Sequence, residues 1–272
     1  MTTAPTLTDR AALTRARRRM REEALFLHAE AIAGVQDRLS LVNRAFTDIA
    51  IVAAAPGPWA AAFPGARVVS DAEVLDLAPG TQDLVIHALA LHWANDPVGQ
   101  LIQCRRALRP DGLFLGLMYG GQSLHELRAV LAEAESRLTG GLSPRVLPMG
   151  DIRDLGALMQ RAGFALPVAD AERLVVDYPD LLALMRDLRG MGETNALASR
   201  LRRTPPRGLF PLAQRLYAEA FGTEAQRLPA TVEIITLSGW APDASQPQPL
   251  RPGSAVARLA AALGTEETKL TD

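Results

Sequence analysis

Short apolar runs separated by amphipathic stretches set the rhythm of the middle of this chain. Residues 49–54, 67–70, 84–89 and 113–119 are near-continuous apolar segments of strand length, the pattern of parallel strands buried on both faces. They alternate with helical segments, which predicts an α/β fold around a parallel sheet. The spacing is uneven. Between the first and third runs only 67–70 can form a strand, leaving two crossovers near the ~10 to 12 residue minimum, and residues 59–63 have room for barely one helical turn. Residues 95–108 instead form a full helix, begun at Asn95 or Asp96 with Pro97 in its first turn and stopped by Pro110-Asp111-Gly112. The first half of the sheet is trimmed and the second is complete.

Ahead of the sheet, residues 8–41 are helical in pattern, with Leu25, His28, Ala29, Ile32, Val35 and Leu39 recurring at three- and four-residue steps. One long helix or two consecutive ones satisfy that pattern. Beyond the fourth strand, residues 123–138 predict a helix with Ser123 as N-cap and Glu126 completing a capping box. A Gly/Pro-rich loop at 140–150 leads to a helix at 152–162 ended by Gly163. A strand at 174–176, a helix at 181–189, a basic proline-broken loop at 200–208, a helix at 212–221 and a strand at 231–238 follow. The composition of 242–252 predicts a disordered tail, with a short helix at 254–263. The expected domains are an N-terminal helical extension (1–44), an α/β domain (45–240) with a helical cap inserted at about 123–222, and a largely disordered tail (241–272).

Composition narrows the class. The chain has 272 residues, 48% hydrophobic and 22% charged, with a formal net charge of −1; it can bury a large core and has no global attraction to nucleic acid or anionic membrane. A basic cluster at 10–21 reads as a solvated helix face. The single cysteine, Cys104, excludes an intramolecular disulfide and a Cys-based metal site, and its helical context makes it a small buried hydrophobe. With four histidines in no ligand spacing, no metal site is expected. No apolar stretch reaches the ~20 residues of a transmembrane helix and the start is polar, so a cytoplasmic location is expected.

The first strand runs into a turn, Ala53-Ala54-Ala55-Pro56-Gly57-Pro58-Trp59, where an α/β domain keeps its cofactor-binding loop. Such a loop needs successive backbone N–H groups and glycines that let the backbone approach the ligand. Here two prolines remove N–H donors and Gly57 alone keeps the permissive geometry.

The block from DLVIHALALHW (83–93) through Asn95-Asp96-Pro97 and the turn Leu108-Arg109-Pro110-Asp111-Gly112 to LFLGLMYGG (113–121) resembles the fourth and fifth strands of class I S-adenosylmethionine-dependent methyltransferases, a Rossmann-like fold. SLHELR (123–128), GGLSPRVLP (140–148), DLGALMQRAGF (154–164), VDYPDLLALMRDLRGMGETN (176–195) and LPATVEIITLSGW (228–240) are similar to the respiratory complex I assembly factor five family. The early helical residues are similar to it too, so the resemblance covers most of the chain. It implies a methyltransferase-like fold, S-adenosylmethionine as cofactor, and action on a protein partner, a complex I (NADH:ubiquinone oxidoreductase) subunit, in complex I assembly; family members are linked to hydroxylation of an arginine. The family's DLGCGxG segment corresponds to residues 51–57, which lack its leading acid and all but one glycine. About one βα unit is missing as well, including the second-strand acid that would hold the ribose hydroxyls.

The candidate cofactor contacts are Gly57, Asp71, Ala72, His87 and the turn around Leu89. Asp71 corresponds to an acid that accepts from the adenine amino group, but Ser70-Asp71 after a strand also suits a helix N-cap. His87 stands where methyltransferases usually carry a small residue, so it either blocks the cofactor or is a core histidine. Candidate substrate contacts lie at the carboxyl edge of the sheet: His92, Trp93, Tyr119, Gly120 and Gly121, the glycines permitting close approach of a peptide. Glu126, Glu193 and Asn195 are added because a carboxylate can hold a substrate guanidinium bidentately; Gly190 and Gly192 ahead of Glu193 suit a helix C-cap. No catalytic residue is assigned. Two function classes stand: a cofactor-dependent modifier of a protein side chain, and a non-catalytic assembly chaperone on a reused enzyme scaffold.

Overall fold

A computed structural model describes residues 6–247 and 264–265. The chain divides into two units, 1–242 and 243–272. Most of the tail expected to be disordered, and all of its expected helix at 254–263, lie outside the described residues. In the described part of the second unit, Asp243 Oδ1 accepts from the backbone N and Oγ of Ser245.

Six strands form the sheet of the first unit: β1 (Ile49–Ala53), β2 (Arg67–Val69), β3 (Gln82–Ala88), β4 (Leu108–Tyr119), β5 (Ala165–Tyr178) and β6 (Leu228–Trp240), in the order β2-β1-β3-β4-β6-β5. The pairs among β1 to β4 are parallel, whereas β6 runs antiparallel to β4 and β5 antiparallel to β6. The expected parallel sheet is therefore extended by two antiparallel strands. Strand β2 pairs directly with β1 at the edge of the sheet.

Two helices, α1 (Arg10–Arg17) and α2 (Phe26–Leu41), precede the sheet, joined through a short 3₁₀ turn. Helices α3 (Pro56–Ala62) and α4 (Pro97–Ala107) connect the strands, and α5 (His125–Thr139), α6 (Ile152–Arg161), α7 (Leu181–Gly190) and α8 (Leu209–Phe221) complete the set among the described residues. One face of the sheet buries Val52, Val85 and Phe114 with Leu101 and Cys104 of α4 and Met159 of α6. The other buries Ile51, Leu84 and Ile86 with Leu27 and Val35 of α2 and Trp59 of α3. A third cluster joins α5, α7 and α8 through Leu131, Leu184 and Tyr217.

Local chemistry explains most boundaries. Asp96 caps α4, its side chain accepting from Gly99 N. Asp180 caps α7 by accepting from Ala183 N. Pro56 opens α3 at its first position, where its missing N–H costs nothing; the prolines convert the expected ligand loop into a helix start.

Two expectations at helix starts are corrected. No capping box forms on α5: its N-cap is Leu124, left-handed at φ +54°, with no side-chain cap bond. Ser123 Oγ instead exchanges bonds with the backbone of Glu233, and Glu126 turns away to β6. Asp71 caps no helix either, since the residues after β2 are irregular until β3. The basic cluster is not wholly solvated: Arg15, Arg18 and Arg19 are exposed, but Arg10 and Arg17 point inward.

Candidate functional site

In an open α/β sheet, ligands bind beyond the carboxyl ends of the strands where the strand order reverses, here between β1 and β3. That crevice is closed by the protein's own side chains. Ala53, Ala88 and Leu89 at the strand ends are buried, and Leu89 has a left-handed backbone at φ +46°. Beside them Asp71, buried, receives Arg17 Nη1 on both carboxylate oxygens at 2.7 and 2.8 Å. Arg10 adds Nη1 to Oδ2 at 3.2 Å and Nη2 to the Asp71 carbonyl at 2.6 Å. Burial pushes the Asp71 carboxyl up, but the two guanidinium groups outweigh it and hold it below the usual carboxylate range.

His87 is fully buried, with Nε2 2.7 Å from Gln100 Oε1. Because Gln100 Nε2 donates to the Ala72 carbonyl at 2.8 Å, its Oε1 is the acceptor and His87 Nε2 carries the proton. Nδ1 of His87 then has no partner, and burial lowers the pKa of the ring. Gly57 is exposed at the start of α3, and a Cβ there would meet nothing.

A cavity of about 240 Å³ opens instead beside the carboxyl ends of β3 and β4. Tyr119 closes β4 and Trp93 lies in the 3₁₀ turn after β3; both line it, together with α5, α7 and the 145–149 loop. Glu193 reaches it through the end of α7. Gly192 takes φ +79°, and the N–H of Glu193 returns to the Leu188 carbonyl at 2.8 Å, a Schellman turn. The Glu193 carboxylate accepts from Trp93 Nε1 at 2.6 Å and stands 3.2 Å from His92 Nε2, both through Oε2. Burial pushes this carboxyl up, yet His92, Arg17 and the Trp93 indole together hold it below its ordinary value. Tyr119, 4.8 Å from the His92 ring, is kept a neutral phenol by burial. His92 Nδ1 is buried without a partner.

The structure thus brings Trp93, Tyr119, Glu193 and Asn195 to one cavity with His92 behind them. Asn195 is already engaged, its Nδ2 donating to the Pro144 carbonyl and its Oδ1 accepting from Leu197 N. Gly120 is pressed against β6, where a Cβ would meet Glu233 and Ile235, so its lack of a side chain serves packing. Gly121 faces the Gly150 carbonyl, 3.5 Å from a built Cβ. Glu126 is buried and spends its carboxylate on Thr231 N and Oγ1, binding α5 to β6 away from the cavity lining. Ala72 is exposed and contributes its carbonyl to Gln100.

Sequence reasoning missed Arg10, Arg17 and Gln100. A signal for the first two existed: Arg10, Leu13 and Arg17 share one face of α1, and Leu13 is buried against Trp93 and Leu197.

Residues 41–116 match the methyltransferase domain model. The arginine-hydroxylase NDUFAF5, mitochondrial, of Danio rerio is 41% identical over 193 residues, 71% of this chain and 60% of that protein. The chain is thus similar to methyltransferases over its first strands and to NDUFAF5 over most of its length. It spans less than two thirds of the length of the curated relatives it matches. Among solved structures, the YcgJ protein of Bacillus subtilis superposes with a TM-score of 0.52 at 13% identity, over 79% of this chain and 99% of that one. A Bacillus halodurans protein described as a methyltransferase gives 0.50 at 13%, over 78% and 99%. Both likenesses concern the fold alone.

Set against S-adenosylmethionine, the crevice residues do not fit. The turn after β1 offers prolines where N–H donors are needed, the carboxylate of Asp71 is held by two arginines, and the buried His87 ring occupies the end of β3. Among the described residues no group of three or more His, Cys, Asp or Glu could hold a metal ion, and no helix is long and apolar enough to cross a membrane.

Proposed function

We propose that this methyltransferase-like protein acts on a protein partner in the assembly of respiratory complex I, as a binding factor that engages an arginine of the partner without S-adenosylmethionine. The observation that carries the reading is the occupation of Asp71 by Arg17 and Arg10. A carboxylate so engaged already has its charge met by two guanidinium groups, and turning it to an adenine would leave buried charges unpaired. The recognition half rests on Glu193, a carboxylate held in a largely apolar cavity beside two aromatic rings, a combination suited to a guanidinium. Similarity to a protein named arginine-hydroxylase is in keeping with an arginine as the recognised group.

Cofactor-dependent modification is the competing reading, supported by the methyltransferase domain match. Calorimetry and thermal shift with S-adenosylmethionine, well above micromolar concentration, separate the two. The binding-factor reading expects no heat and no shift; saturable binding weakened by Asp71→Ala would sink it. Co-purification with complex I subunits, in an extract from cells that make this protein, tests the shared premise: capture lost in Glu193→Ala supports it, and no capture by the wild type overturns it.

A further inference from the structure

We propose that the cavity selects an amphipathic cation: a guanidinium at Glu193 joined to a bulky apolar group, so that the recognised arginine has a large apolar residue beside it. The inference rests on the assignment of Glu193 to a guanidinium and adds what the rest of the cavity requires.

The walls are chiefly hydrocarbon. Leu127 and Leu131 of α5, Met185 of α7, Met191, Phe210 and Val232 face the space, and Glu193 is the one carboxylate among the lining residues. An apolar cavity of ~150 Å³ accommodates a benzene. At about 240 Å³ this one has room for a side chain of leucine or phenylalanine size in addition to the head group. An arginine alone would leave much of that apolar wall against water.

The head-group end is equally specific. Trp93 Nε1 and His92 Nε2 both engage Oε2 of Glu193 and neither engages Oε1, so one oxygen is left for an incoming donor. The rings of Trp93 and Tyr119 offer faces to a cation. Two arginines share the lining, but neither competes for the carboxylate. Arg145 is spent on Glu135, with bonds of 2.6 and 3.1 Å, and Arg189 is exposed, where solvent and salt screen it. Three methionines, Met149, Met185 and Met191, make the apolar part adaptable, so its preference is for size rather than shape.

Alkylguanidines from methyl to hexyl provide the test, titrated into the full chain by calorimetry and Trp fluorescence with alkanols and alkanoates of equal length as controls. Affinity is expected to rise about three- to fourfold per added methylene until the cavity is full, with guanidines ahead of alkanols and alkanoates weakest. Glu193→Gln is expected to abolish the preference for guanidine while keeping the dependence on chain length. Met185→Trp, which fills the cavity, is expected to abolish chain-length dependence; Leu188→Phe replaces it should its melting temperature show a folding defect. Guanidines that bind equally at every chain length would overturn this inference while leaving the arginine reading intact. Chain-length dependence with no head-group preference would overturn both.

Discussion

Arg17 meets Asp71 through one guanidinium nitrogen shared between both carboxylate oxygens, at 2.7 and 2.8 Å, and each side chain is at most 12% exposed. The pair joins α1 to the end of β2 across the crevice where the fold would seat a cofactor. Removing Arg17 leaves the buried Asp71 carboxylate with only the longer Arg10 bond, at a cost of up to about 3–5 kcal/mol. Arg17→Ala is therefore expected to lower the urea midpoint sharply. Arg17→Ala with Asp71→Ala should lose less than the sum of the single variants, giving a coupling energy in a double-mutant cycle; strict additivity would remove the pair from the account.

Acid should destabilise the protein in two windows. His28 accepts from Trp59 Nε1 at 3.0 Å and is held neutral by burial, its pKa lowered to about 4 despite Glu193 pulling the other way. Unfolded histidine titrates near ~6.5. Between those values the unfolded chain takes up a proton that the folded one refuses, so stability falls with pH by up to roughly 3 kcal/mol. His28→Gln keeps an acceptor for Trp59 and should flatten part of this window; His87, shifted the same way, supplies the rest.

Asp71 acts below that window. Its pKa is depressed on folding, so its contribution is complete above ~3.9 and is lost as pH falls through the lower folded value. Urea melts from pH 6 down to pH 2 should show a shallower loss below ~4 in Asp71→Asn than in the wild type. Equal slopes there would mean that other carboxylates govern the acid limb.

Gly192 should resist replacement. Its φ of +79° costs an L-residue about 1–2 kcal/mol, and an added Cβ would lie 2.8 Å from Met20 and 3.3 Å from the backbone of Arg17. Gly192→Ala is expected to destabilise by at least that amount and to shift Glu193, read as a change in Trp93 emission in a background where Trp59 and Trp240 are replaced by Phe.

Much of the fold could be read from the sequence because interior strands and capped helices announce themselves. The apolar runs at β1, β3 and β4 and the cap at Asp96 fall where pattern and local chemistry put them. Strand β5 was legible only around Leu174, although it runs from Ala165 to Tyr178, because as an edge strand it alternates half-buried with exposed positions and carries Asp170, Glu172 and Arg173. Glu126 misled for a different reason: a Ser and a Glu three apart satisfy the capping pattern, but Thr231 and Glu233, over 100 positions away, outbid the local partners. The Arg17–Asp71 pair, 54 positions apart, has the same character. Local periodicity marks which face of α1 is buried but not which carboxylate waits beneath it.

Helix α1 is secured by contacts made very late in synthesis. A bridge pairs Thr8 with Leu197, and Asp9 binds Arg200, 191 positions further on. At the usual 5–20 residues per second the ribosome needs roughly 10 to 40 s to cover that interval. Until then α1 is held only by its earlier partners, among them Asn95 at Thr8 and Trp93 at Leu13. The full set of contacts that fixes α1 beside Asp71 is therefore complete only once the segment from Leu197 to Arg200 has been made.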